Sequence, residues 1–224
     1  PRTIKVHHTQ VHCSTERVRK QMKNNTVMLI GTVVENFTYN HETHNEKFYS
    51  GFLSVKRNSS TEDILPIIAS EYLIDANLDY SGKLVSIYGD YRSRNNHASG
   101  KSTLDLYVFV SCIEAADKDV NLNSVSFQGF ICKTPVYRKT PGGWEICDLF
   151  VAVNGSWGRE YYIPCIAWGR NAIKASRFTI RDMIRISGRI QSRRYQKKLE
   201  EGGIEERTAY EVSASEIEIV ESEE

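Results

Sequence analysis

The chain has 224 residues, 40% of them apolar and 25% charged, with a formal net charge of +1. That length can bury one large core or two small ones, and no run of about eighteen apolar residues is present to cross a bilayer as a helix. The first residues lack the apolar centre of a secretory signal. Five cysteines without a C-x-x-C pair argue against a disulfide framework and a zinc ribbon. A cytoplasmic protein is expected, with most cysteines acting as small buried hydrophobes.

Residues 1–21 match nothing that follows and read as a leader or arm, either disordered or not native. His7, His8, His12 and Cys13 lack a second ligand pair at structural-site spacing, so no metal or other cofactor is expected. Arg17, Arg19 and Lys20 fit a basic arm that touches phosphate.

From Met22 the chain is written twice. NTVMLIG at Asn25–Gly31 is answered by NSVSFQG at Asn123–Gly129, LPIIA at Leu65–Ala69 by IPCIA at Ile163–Ala167, and VSIYG at Val85–Gly89 by IRISG at Ile184–Gly188. The offset stays at 98 or 99 residues, which marks two copies of one domain. The boundaries are 22–117 for the first copy, 118–122 for a linker, 123–221 for the second copy and 222–224 for an acidic end.

Each copy reads as five short strands with one brief helix after the third. In the second copy the predicted strands are Ser124–Thr134, Trp144–Val153, Glu160–Trp168, Met183–Arg194 and Arg207–Val220, with a helix at Asn171–Phe178. Pro141-Gly142-Gly143 and Gly202-Gly203 mark hairpin loops. Gly31, Gly129, Gly89 and Gly188 interrupt apolar alternation where a small closed barrel needs a bulge or bend. The pattern predicts an all-β fold of small barrels, and by itself leaves a Greek-key sandwich open.

Charge is unevenly placed. From Lys133 to Lys198 there are fourteen Lys/Arg against four Asp/Glu, and from Leu199 to Glu224 one Arg against ten Glu. A basic body meets an acidic end.

Val125–Gly129, VAVN at Val151–Asn154, WGRNA at Trp168–Ala172 and SGRIQSR at Ser187–Arg193 stand in an order and spacing that closely resemble the bacterial single-stranded DNA-binding protein family. The resemblance implies two tandem OB-fold five-stranded barrels that bind single-stranded DNA without sequence preference, in replication, recombination or repair. Such binding needs flat side chains for base stacking and cations for phosphates. On the family pattern the stacking residues are Trp157, Tyr162, Trp168 and Tyr195. The cations around them are Arg138, Lys139, Arg159, Arg170, Arg185, Arg189, Arg193, Arg194, Lys197 and Lys198. Tyr162 and Trp168 are an even number apart and share a strand face; Arg185, Arg189 and Arg193 do likewise.

In the first copy Ile64 stands for Tyr162, Ser70 for Trp168 and Asn96 for Tyr195, and eight Lys/Arg face twelve Asp/Glu. That copy is expected to bind DNA poorly and to serve assembly or partner contact, with Tyr39, Phe48, Tyr49 and Tyr91 as a modest second face. The resemblance further implies four barrels per assembly, here a homodimer joined through the strands of Val27, Leu29, Val125 and Phe127. It places the protein in the cytoplasm with the nucleoid, alongside replication or repair proteins. Scattered Glu145, Asp148, Glu160 and Asp182 give no metal-ligand pattern, so an enzyme is not expected. The alternative is an OB-fold protein-interaction adaptor or an RNA-binding module.

Overall fold

The computed structural model describes residues 24–59, 61–96, 103–155, 158–198 and 203–220. Trp157 and the leader with its His7, His8, His12, Cys13 and Arg17 lie outside them. Twelve strands and one helix make up the described residues. They are β1 (Asn25–Val33), β2 (Thr38–Thr43), β3 (Glu46–Lys56), β4 (Glu62–Ser70), β5 (Leu84–Asn96), β6 (Thr103–Ala115), β7 (Asn123–Ile131), β8 (Val136–Lys139), β9 (Glu145–Asn154), β10 (Glu160–Trp168), α1 (Arg170–Ala175), β11 (Met183–Lys198) and β12 (Ile204–Ile219).

Alternating burial along each barrel strand fixes which face turns inward. Val27, Leu29 and Val33 of β1, and Val125, Phe127 and Ile131 of β7, are buried in one continuous core. Following the hydrogen-bonded pairings from β1 leads to β3, β4, β6, β5 and back to β1, with β4 and β6 parallel. The same walk from β7 passes through β9, β10, β12 and β11 before returning. Closing five strands into so narrow a ring brings crossing backbones together. A Cβ added at Gly31, Gly129, Gly89 or Gly188 would run into the carbonyl oxygen of Ser54, Ala152, Phe109 or Ser213 respectively. The pairing register shifts at Tyr88/Gly89 and at Ser187/Gly188, so two of the four glycines also sit at bulges.

Several expectations are corrected. β2 and β8 are short additional strands, each hydrogen-bonded to the next strand in a hairpin. The first half has no helix among its described residues. After β4 the chain turns, and the Asp75 carboxylate accepts the Asn77 N–H at 2.9 Å, a local bond that competes with helical pairing. β1 and β7 pair with each other inside one chain, Val27 opposite Val125, so these edges are not free to join two subunits. Tyr91 and Phe48 are buried, which leaves Tyr39 and the half-buried Tyr49 of the supposed second face. Of the four described cysteines, Cys147 and Cys165 are buried and Cys112 and Cys132 only half-buried, and burial pushes the Cys147 thiol up to about 11.

Candidate nucleic-acid interface

β10 positions the central aromatics. Its odd-numbered Tyr161, Ile163, Cys165 and Ala167 fill the core, which turns Tyr162, Pro164 and Trp168 outward. Trp168 ends the strand with 42% of its surface exposed. On the neighbouring β9, Leu149, Val151 and Val153 point inward and Phe150 outward. Phe150 and Tyr162 are diagonal neighbours whose rings stack 6.1 Å apart, tilted by only 16°. The Lys133 ammonium lies 4.4 Å from the centre of the Phe150 ring. Two parallel rings with a cation over one of them form a surface that accepts a base face and a phosphate together.

Tyr162 is held from both ends. Its hydroxyl donates to the Glu160 carboxylate at 2.9 Å, and that bond holds the phenol above its ordinary pKa and so neutral. Its backbone N–H donates to Ser93 Oγ of the first copy at 2.7 Å. Phe150 and Lys133 were missing from the sequence-based set. Phe150 was legible as the one large apolar residue at an outward position of an otherwise alternating strand.

β11 and β12 continue past the ring as a paired hairpin, Ser192 opposite Tyr210 through Lys198 opposite Ile204. Tyr195 is on this hairpin, 37% exposed, with the Arg193 guanidinium 5.8 Å from its ring centre. Between the hairpin and the first copy lies an open groove of about 700 Å³, lined among others by Tyr195, Arg207, Pro164, Phe52, Pro66 and Arg94.

The expected cations divide. Arg138 makes a two-point pair with Asp148, and Lys139 stands 3.7 Å from Glu145. Arg185 and Arg194 make long, exposed pairs with Glu218 and Glu206, and the exposed Arg193 guanidinium stands 4.0 Å from the mostly covered Glu211. Such exposed pairs contribute little and exchange readily for phosphate. Arg159, Arg170 and Lys197 are exposed. The Lys198 side chain lies outside the described residues. Arg189 differs from the rest: it binds the fully buried Asp63 carboxylate of the first copy and is thereby withdrawn from the outward face. In the first copy the residues that stand in place of Trp168 and Tyr195 are engaged within that copy, Ser70 with Glu46 and Asn96 with Asp105.

Residues 122–220 match the sequence model of the single-strand binding protein family. The fold is similar to the wild-type single-stranded DNA binding protein of Thermus aquaticus, with a TM-score of 0.71 and 21% identity over 89% of this chain and 94% of that one. A deletion mutant of the same Thermus protein gives a TM-score of 0.70 at 21% identity, covering 89% of this chain and 95% of that one. The N-terminal domain of PriB protein from Thermoanaerobacter tencongensis is 36% identical over 43% of this chain and 100% of that one, with a TM-score of 0.38. A search of curated proteins finds no match. The match assigns residues 122–220 to the single-strand binding protein family.

Proposed function

We propose that the chain binds single-stranded DNA without reading its sequence, and so protects it during replication, recombination or repair. The observation that carries this reading is the outward platform of Phe150 and Tyr162, with Lys133 over it and Trp168 on the same strand face as Tyr162. Stacking on a ring face suits any base, and ring and cation together serve an unpaired strand rather than a duplex, whose bases are already stacked. The strand runs from this platform toward Tyr195 and the β11–β12 hairpin, where Arg193, Arg194 and Lys197 meet phosphates. The polypeptide is organised as two OB barrels, 22–117 and 123–221. The first supports the second and lacks its stacking residues, although Phe52 keeps the place of Phe150, each opposite a proline of the next strand. Two chains give four barrels, joined through a surface other than β1 and β7.

The test is a titration with oligo-dT, following tryptophan fluorescence at two salt concentrations with duplex as competitor. Quenching that weakens with salt and ignores duplex is the expected result; no quenching and no change in anisotropy removes the reading. Oligo-U binding as tight as oligo-dT would widen the substrate class to RNA. Light scattering at micromolar concentration should give the mass of two chains.

A further inference from the structure

The contacts between the two copies repeat about an approximate two-fold axis. β1 and β7 pair antiparallel around Val27 and Val125, which are equivalent positions, with Asn25 opposite Phe127 and Leu29 opposite Asn123. The Ile64 N–H donates to Ser192 Oγ at 3.2 Å, and the Tyr162 N–H donates to Ser93 Oγ at 2.7 Å. Ile64 and Tyr162 are equivalent, as are Ser93 and Ser192. The equivalences run on through the neighbouring residues: Asp63 answers Tyr161, Asp90 answers Arg189, and Arg57 answers Gly155.

The side chains at these equivalent places are not alike. On one side of the axis Asp63, with no exposed side-chain surface, is gripped by Arg57 at 2.6 and 3.0 Å, by Arg189 and by the Ser192 N–H at 2.8 Å. On the other side Tyr161 stands where Asp63 would be. There Arg92 pairs with Asp90 at 2.7 Å and lies over the rings of Phe109 and Tyr161, at 3.7 and 5.6 Å.

We propose that this junction is a recognition surface that accepts only the opposite half. If two second halves met in the same way, Arg189 would face Tyr161 twice, with Gly155 in place of Arg57 and no carboxylate present. Two first halves would set Asp63 against Asp90 twice, each carboxylate keeping only the guanidinium of its own half, Arg57 or Arg92, and losing Arg189. A buried carboxylate is tolerated only with cationic and hydrogen-bonding partners, so both self-pairings forfeit what the mixed pairing satisfies. The halves therefore meet first against second, and not first against first or second against second. This inference does not depend on what the chain binds.

The test uses two full-length chains, Asp63→Arg with Met28→Cys, and Arg189→Asp with Ser124→Cys. Met28 and Ser124 are opposite one another on β1 and β7, so a disulfide between chains reports β1 of one against β7 of the other. Within either variant like charges meet at the junction; between the two, opposite charges meet. After joint refolding, the inter-chain disulfide should exceed that of the same cysteine pair with native charges by about tenfold or more. Asp63→Arg and Arg189→Asp placed together in one chain should return it to the native level. Equal yields with native charges, no inter-chain disulfide in the mixture, or continued cross-linking when both changes share one chain would each overturn the proposal.

Discussion

Tyr162 shows how one side chain is made into a binding surface. Its ring lies against Phe150, its hydroxyl is occupied by Glu160 and its backbone N–H is tied to Ser93, so little freedom remains to be lost when a base stacks on it. Phe150→Ala and Trp168→Ala should each weaken oligo-dT binding by about 1–3 kcal/mol, whereas Tyr162→Phe should leave affinity nearly unchanged because the ring face is kept. Anisotropy titrations at one fixed salt concentration check all three. Asp63 is the opposite kind of residue, charged and fully buried. Burial raises its pKa, but hydrogen bonds from Arg57 and the Ser192 N–H, with both guanidinium charges, outweigh that and hold the carboxyl below the ordinary carboxylate range. A carboxyl depressed in the folded state contributes stability that is complete above its unfolded pKa, about 4, and is lost as pH falls through the folded value. Thermal unfolding followed by circular dichroism should therefore show Tm falling below about pH 4, and Asp63→Asn should flatten that part of the curve while lowering Tm at neutral pH.

Among the elements, β5 and β11 do two tasks along one length. Their first halves close the rings, and the bulges at Gly89 and Gly188 let them pass from ring to hairpin. At Gly188 a methyl group would meet the Ser213 carbonyl oxygen, a backbone atom that cannot swing aside. Gly188→Ala should cost about 1–3 kcal/mol, read as a Tm lower by several degrees. Gly143, with φ at 82°, turns between β8 and β9 with nothing near its added Cβ, so Gly143→Ala should act only through backbone strain and cost less.

At the scale of the whole molecule, cations separate by what they already hold. Lys133 lies over the stacking platform and should meet phosphate, whereas Arg189 is committed to Asp63 at the junction. Lys133→Ala should reduce the slope of log K against log salt by about 0.7 for a single strand, while Arg189→Ala should leave the slope alone and lower Tm. The pair of measurements separates a cation of the interface from one that holds the two halves together. A loss of slope with Arg189→Ala would move that residue back onto the binding face.

The sequence by itself determined the duplication, the all-β character and the outward places of Tyr162 and Trp168. Each of these rests on local repetition: a constant offset, a period of two, and glycines where alternation breaks. It also located β10 to the residue, because its odd-numbered positions 161–167 all face the core and a slip of one residue would turn them outward. Other features depended on groups far apart in the chain. Arg189 shares its strand parity with Arg185 and Arg193, yet only the docking of the two copies brings it to Asp63, 126 residues away. Phe150 lies on β9 and Lys133 in the loop between β7 and β8, and they become one surface with Tyr162 only when β9 and β10 pair. Val27 and Val125 were legible as edge residues, but which edge each would meet was a choice among equivalent partners, and equivalence is what a duplicated sequence cannot resolve. The tertiary structure resolves it by charge complementarity and burial, which exist only between residues already brought together.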